Sequence, residues 1–193
     1  MKSLILKPEQ IIPPDNEMGN EEVLKIYFGV MAKGHEKDIP PVLIARPSLS
    51  DRNFMLKRAG NMEICRKYFE SVSQIKDAFY LIDGNHRAVA AMLCNIPIKA
   101  LELEDDSDLS IIEKMAKSGE YWNHPPLPFD FNNSREVTGK LRSAVTYLED
   151  GRYARELITL KDMVNELVFS NSLPDYMKNK YLENVSFDDV RKV

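Results

Sequence analysis

Cysteine is scarce in this chain, with only Cys65 and Cys94 among 193 residues and no metal-ligand spacing between them. That excludes a disulfide-stapled scaffold and a thiolate zinc cluster. It matches a reducing, cytoplasmic setting, as does the lack of a secretory leader pattern. Cys94 falls in an apolar helical stretch and is expected in the core, and neither thiol is expected to be reactive. Basic residues are not in excess either: 26 Lys and Arg face 30 Asp and Glu, a formal net charge of −4. No overall positive field exists to draw DNA or anionic lipid to the surface. No apolar run approaches the ~20 residues of a membrane-spanning helix, so no membrane partner is expected. Internal repeats and low-complexity tracts are also missing. Of the three histidines, His35 beside Gly34 and His124 before a proline pair have no chemical partner in the pattern and read as loop residues.

What is present is the composition of an ordinary globular protein, 44% hydrophobic and 29% charged, long enough for one domain with an extension or for two small ones. Residues 4–6 read as a short strand before Lys7-Pro8. After Pro13-Pro14, the residues Val23, Leu24, Tyr27, Phe28 and Met31 recur at helical spacing, with Asn20 placed to cap the start and Gly34 the end. Pro41 to Ala45 is a continuous apolar run after a proline pair, which predicts a buried strand. An insertion of mixed character follows over 48–78, carrying Met62, Cys65, Tyr68, Phe69 and Val72 at helical spacing.

The most informative stretch is Phe79 to Glu104. A short apolar run ends in Asp83-Gly84, a helix opens on Asn85-His86-Arg87 and carries small residues, and a second apolar run follows Asn95. The pattern predicts strand, tight turn, helix and strand. A turn of this kind leaves the first N–H groups of the helix outside its own hydrogen-bond ladder, with the positive end of the helix dipole behind them. Such a spot attracts anions, phosphate above all. Gly84 supplies the backbone freedom and the clearance, His86 and Arg87 supply donors, and Arg87 is able to bind two oxygens at once. An ordinary strand-to-helix turn with a surface basic residue fits the same letters.

The segment Leu81-Ile82-Asp83-Gly84-Asn85-His86-Arg87-Ala88-Val89-Ala90-Ala91 resembles the signature of the ParB/sulfiredoxin superfamily, in which a D-G-x-H-R or G-x-x-R loop opens a helix and grips nucleotide phosphates. Leu4 to Pro13 resembles that family's opening strand and turn, and Pro40 to Ala45 its proline-led second strand, so the likeness covers about residues 3–104. It implies an α/β (α+β) fold with a small mixed sheet and helices, extended by C-terminal helices. Sulfiredoxins keep a catalytic cysteine in the loop where this chain has Asn85. ParB proteins add an E-N-x-Q-R motif and a helix-turn-helix domain that are not evident here. The free serine kinases of the superfamily are closest in motif: their loop is D-G-H-H-R, matched at Asp83, Gly84, His86 and Arg87, and a catalytic glutamate follows a proline near the start. The corresponding stretch is Pro13-Pro14-Asp15-Asn16-Glu17, which puts Asp15 in register and Glu17 as the nearest glutamate.

The resemblance therefore implies a nucleotide-binding protein transferring a phosphoryl group from ADP or ATP, with Mg²⁺, to a small hydroxylated metabolite such as an amino acid. Asp15 and Glu17 are the candidate catalytic carboxylates. Asp83, Gly84, Asn85, His86 and Arg87 form the candidate phosphate site, and Asp83 is the candidate Mg²⁺ ligand. The alternative is a ParB-like module that binds or cuts DNA, with or without a nucleotide switch. A third reading is a nucleotide sensor without turnover.

The expected organisation is a nucleotide-binding domain over 1–120, a linker over 121–133 and a helical extension over 134–193. The acidic run Glu104 to Asp108 reads as capping for a helix over 109–118 rather than as a metal site. The linker holds three prolines, and its Tyr121, Trp122, Phe129 and Phe131 read as a packing strap or as a cover for a nucleotide base. Helices are expected near 134–149, 159–169 and 173–184. The last two have a faint helix-turn-helix look, but ten Lys and Arg against eleven Asp and Glu over 121–193 leave no electrostatic footprint for DNA.

Overall fold

The computed structural model describes residues 1–13, 20–46, 78–104 and 159–185, with isolated positions between 108 and 118. Within them lie five strands, β1 (Lys2–Leu6), β2 (Ile11–Ile12), β3 (Val42–Ala45), β4 (Phe79–Asp83) and β5 (Ile98–Leu103). The described helices are α1 (Glu21–Ala32), α2 (Asn85–Cys94), α3 (Leu160–Phe169) and α4 (Asp175–Leu182). The class is α+β. Most of the insertion over 48–78, the linker over 121–133 and the helix expected over 134–149 lie outside the described residues, and the helix expected over 109–118 is described only at scattered positions.

The strands form one mixed sheet in the order β1-β5-β3-β4-β2. β1 is antiparallel to β5, β5 parallel to β3, β3 antiparallel to β4, and β4 parallel to β2. The register sets Leu43 opposite Asp83 and Val42 opposite Ala100, so the Pro40-Pro41 entry to β3, the Pro97 entry to β5 and the Gly84 exit from β4 share one end of the sheet. β2 pairs Ile11 with Phe79 and Ile12 with Tyr80, so the chain leaves Ile12 heading toward that same end.

The helices begin and end where local chemistry dictates. Asn20 Oδ1 accepts from the N–H groups of Glu22 at 3.1 Å and Val23 at 3.3 Å, starting α1. α1 closes with Gly34 at φ 79, where Gly34 N–H donates to Met31 O at 2.9 Å and His35 N–H to Val30 O at 3.1 Å. α2 closes the same way on Asn95 at φ 52, with Ile96 N–H on Ala91 O at 3.0 Å. In α3 a capping box joins Thr159 and Asp162, each side chain accepting from the other's backbone N–H.

All four helices share one core with one face of the sheet. Val42, Ile44, Phe79, Leu81, Ile98 and Ala100 point into it, and α2 contributes every residue from Ala88 to Cys94. α1 packs against α2 through Leu24, Phe28 and Met31. The small residues Ala88, Ala90 and Ala91 suit this position, because a central helix with neighbours on several sides needs short side chains for close approach. α3 and α4 dock on α2 through Leu160, Met163, Val164, Val168, Met177 and Tyr181, so the described part of the helical extension joins the first core. Within it Tyr181 Oη donates to Asn165 Oδ1 at 2.8 Å, satisfying two side chains that burial would otherwise penalise. Among the described residues, no helix is long and apolar enough to cross a membrane.

Candidate functional site

Asp83 ends β4, Gly84 makes the turn and Asn85 opens α2, so the five motif residues sit together at one end of the sheet. Gly84 stands at φ 107 and ψ 31, a conformation open to glycine and strained for other residues. Asp83, Gly84, Asn85 and His86 are all partly exposed, so solvent reaches the turn. The helical ladder starts with Ala88 N–H on Gly84 O at 2.9 Å. The N–H groups of Asn85, His86 and Arg87 therefore precede the ladder, and the first turn contains no acidic side chain to compete with an incoming anion.

Arg87 points inward. It is only 3% exposed, and its guanidinium lies under the turn. Nη1 donates to Pro41 O at 2.6 Å and to Pro40 O at 3.2 Å, while Nη2 donates to Asp83 Oδ2 at 2.7 Å. The missing side chain of Gly84 is what admits it, since a Cβ there would lie 3.0 Å from both Nε and Nη2 of Arg87 and 2.7 Å from Val42 Cγ1. Tyr27 of α1 feels this pair: burial pushes its phenol up, with Arg87 opposing the shift and Asp83 adding to it. The guanidinium thus joins three points, the end of β4, the start of α2 and the proline pair before β3.

The proline carbonyls are partners that the motif alone does not reveal. Proline has no N–H, so a Pro-Pro pair offers two acceptors without a donor of its own. That is a weak signal at a sequence distance of 46 residues.

The remaining expected site residues fall as follows. Asp15 and Glu17 lie outside the described residues. Asp83, the candidate Mg²⁺ ligand, is one-quarter exposed and gives one oxygen to Arg87. Among the described residues no three His, Cys, Asp or Glu side chains cluster as a metal site. Among the described residues the turn offers one carboxylate, which suits a Mg²⁺ that brings most of its oxygen ligands with it and does not suit a cage built by protein alone.

In the acidic run, Asp108 accepts from Glu104 N–H at 2.8 Å and pairs with the Met1 ammonium at 2.8 Å. In α4, Lys178 pairs with Asp175 at 2.7 Å and Lys180 with Glu183 at 3.2 Å, so both lysines of that helix face carboxylates. Away from the turn, a cleft of about 220 Å³ is floored by Ile5, Met31, Ile39 and Ile98 and reaches Pro40. Comparison with protein-family models, with curated proteins and with solved structures finds no match to this chain.

Proposed function

We propose that this is a nucleotide-binding protein of the ParB/sulfiredoxin-like kind that transfers a phosphoryl group from ADP or ATP to a small hydroxylated metabolite. The observation that carries the reading is the Gly84 turn: a solvent-reached glycine at φ 107 heads a ten-residue helix whose first three N–H groups precede its ladder. These amides and the helix dipole suit a terminal phosphate, with the partly exposed Asn85 and His86 flanking them.

Phosphoryl transfer asks for positioned positive charge on the moving group and a carboxylate near the acceptor hydroxyl. Mg²⁺ bound with the nucleotide would share the charge of the phosphate oxygens, and Asp83 would hold it directly or through water. The topology supports the carboxylate. β2 runs parallel to β4, so the chain leaves Ile12 toward the end of the sheet that carries the turn, and Asp15 follows Ile12 by three positions in the sequence as Asp83 follows Tyr80. Asp15 or Glu17 is then the group that accepts the proton of the attacking hydroxyl.

The test is to incubate purified protein with ADP or ATP, Mg²⁺ and a pool of hydroxylated metabolites, amino acids included, and to follow phosphorylated product by mass spectrometry. Product is expected from the wild type. Asp15→Asn or Glu17→Gln should keep nucleotide affinity and lose at least a hundredfold in turnover, in line with the usual worth of a general base. Nucleotide binding without product from any acceptor would point to a sensor. Salt-sensitive retention on DNA in place of nucleotide binding would favour the ParB-like reading.

A further inference from the structure

We propose that the outer face of α1 is a docking surface for a second copy of this chain, the two α1 helices packing antiparallel about a twofold axis. The core side of α1 is accounted for by Leu24, Tyr27, Phe28 and Met31. On the opposite side, positions three and four apart line up Glu22, Ile26, Gly29 and Lys33, the last just past the end of the helix. Ile26 is 64% exposed. Gly29 leaves a gap next to it, since a Cβ there would meet nothing within 4 Å. A lone exposed isoleucine is ordinary on a protein surface. What distinguishes this one is the order of the row in which it stands.

From start to end the row runs acid, apolar knob, gap and base, and it is therefore complementary to its own reverse. A twofold axis midway between Ile26 and Gly29 sets the isoleucine of each copy over the glycine of the other. The same axis sets Glu22 of each copy opposite Lys33 of the other. Contact of this kind is isologous, one patch serving both subunits. Parallel pairing would instead oppose Glu22 to Glu22 and Lys33 to Lys33. Both charged ends reach solvent, with the Glu22 side chain 78% exposed and Lys33 also exposed. Lys25 meets Glu21 and Glu22 at 2.8 Å each, so the start of the helix keeps an excess of carboxylate. Val23 and Val30, partly buried beside the row, widen the apolar strip. A contact limited to one helix face is small, so the dimer is a weak one.

The test is sedimentation equilibrium of the full chain at low salt, raised in concentration to about 1 mM, the weak end of the affinity scale. The wild type should pass from monomer to dimer. Glu22→Lys and Lys33→Glu each set like charges against each other at both ends of the contact, and each should weaken the dimer about fivefold or more. Combined in one chain, the two changes restore opposite charges, and dimerisation should return toward the wild-type value. That recovery separates docking from folding, because the combined variant carries both perturbations of the helix. Gly29→Gln provides the independent check. Glutamine is a good helix former and meets nothing in the monomer, yet it fills the seat of the second copy's Ile26. Dimerisation should be lost while circular dichroism of the monomer is unchanged. A wild type that stays monomeric at every concentration overturns the proposal. So does a dimer that Gly29→Gln leaves intact, or a combined charge variant that associates no better than the single ones. If the charge variants do not fold, Gly29→Gln decides alone.

Discussion

Replacing Gly84 by alanine tests both the backbone and the packing of the turn. The added Cβ meets Val42 Cγ1 at 2.7 Å, a separation that real methyl contacts do not show, and crowds Arg87 Nε and Nη2 at 3.0 Å. Neither neighbour has room to yield. Val42 is fully buried on the core face of β3, and Arg87 is held by hydrogen bonds to Asp83, Pro40 and Pro41. The backbone adds its own cost, because φ 107 is a region that residues with a Cβ seldom occupy, worth about 1–3 kcal/mol. Overpacking a close-packed core adds about 1–3 kcal/mol more. The total, roughly 2–6 kcal/mol, is a large share of the ~5–15 kcal/mol typical of a domain.

Urea denaturation of the wild type and Gly84→Ala, followed by circular dichroism, gives the difference directly, with an unchanged slope confirming that the denatured state is the same. The steric part separates by a double-mutant cycle. In a Val42→Ala background the closest contact is gone, and the Gly84→Ala increment should fall by about 1–3 kcal/mol toward the backbone cost alone. A Gly84→Ala change costing less than about 0.5 kcal/mol, or costing the same with and without the Val42 side chain, refutes this account.

Gly29 offers the contrasting case: it sits inside α1 at an ordinary φ, and a methyl added there would meet nothing within 4 Å, so Gly29→Ala should stabilise by about 0.5–1 kcal/mol, read as a raised urea midpoint. Cys94 is buried at the end of α2, and burial pushes its thiol up from 9.0 to about 11. The folded value lies above the unfolded one, so this contribution is complete below about pH 9 and is lost as pH rises toward 11. Two units correspond to about 2–3 kcal/mol. Denaturation midpoints should therefore fall more steeply over that window in the wild type than in Cys94→Ala, and equal slopes would show that the thiol is not buried in the folded protein.

The elements most legible in the sequence are those that punctuation marks at both ends. Asn20 and Gly34 bracket α1, and Asp83-Gly84 and Asn95 bracket α2, where the chain turns at Gly34, Gly84 and Asn95 with positive φ. β2 escapes such reading because two isoleucines cannot display a period; only their pairing with Phe79 and Tyr80 makes them a strand. The docking of α3 and α4 on α2 escapes for a related reason, since an apolar helix face shows that it is covered but not by what.

The turn at Gly84 shows the harder limit. Its letters describe donors and an acceptor without saying which way each side chain faces, and a phosphate site and a self-contained ion pair use the same residues. One signal was available. Asp83 and Arg87 stand four apart across a helix start, the spacing at which opposite charges meet. Gly84 between them removes the side chain that would keep them apart. An arginine with a carboxylate at that distance already has an anion, and any ligand at the turn must either displace that carboxylate or be held by something else. The main-chain amides of α2 are the groups whose direction the helix itself fixes. A substitution that keeps the helix and shifts the local charge by +1, as Asp83→Asn does, is therefore a sharper probe of the turn than deletion of the arginine, which removes the ion pair and the proline contacts together.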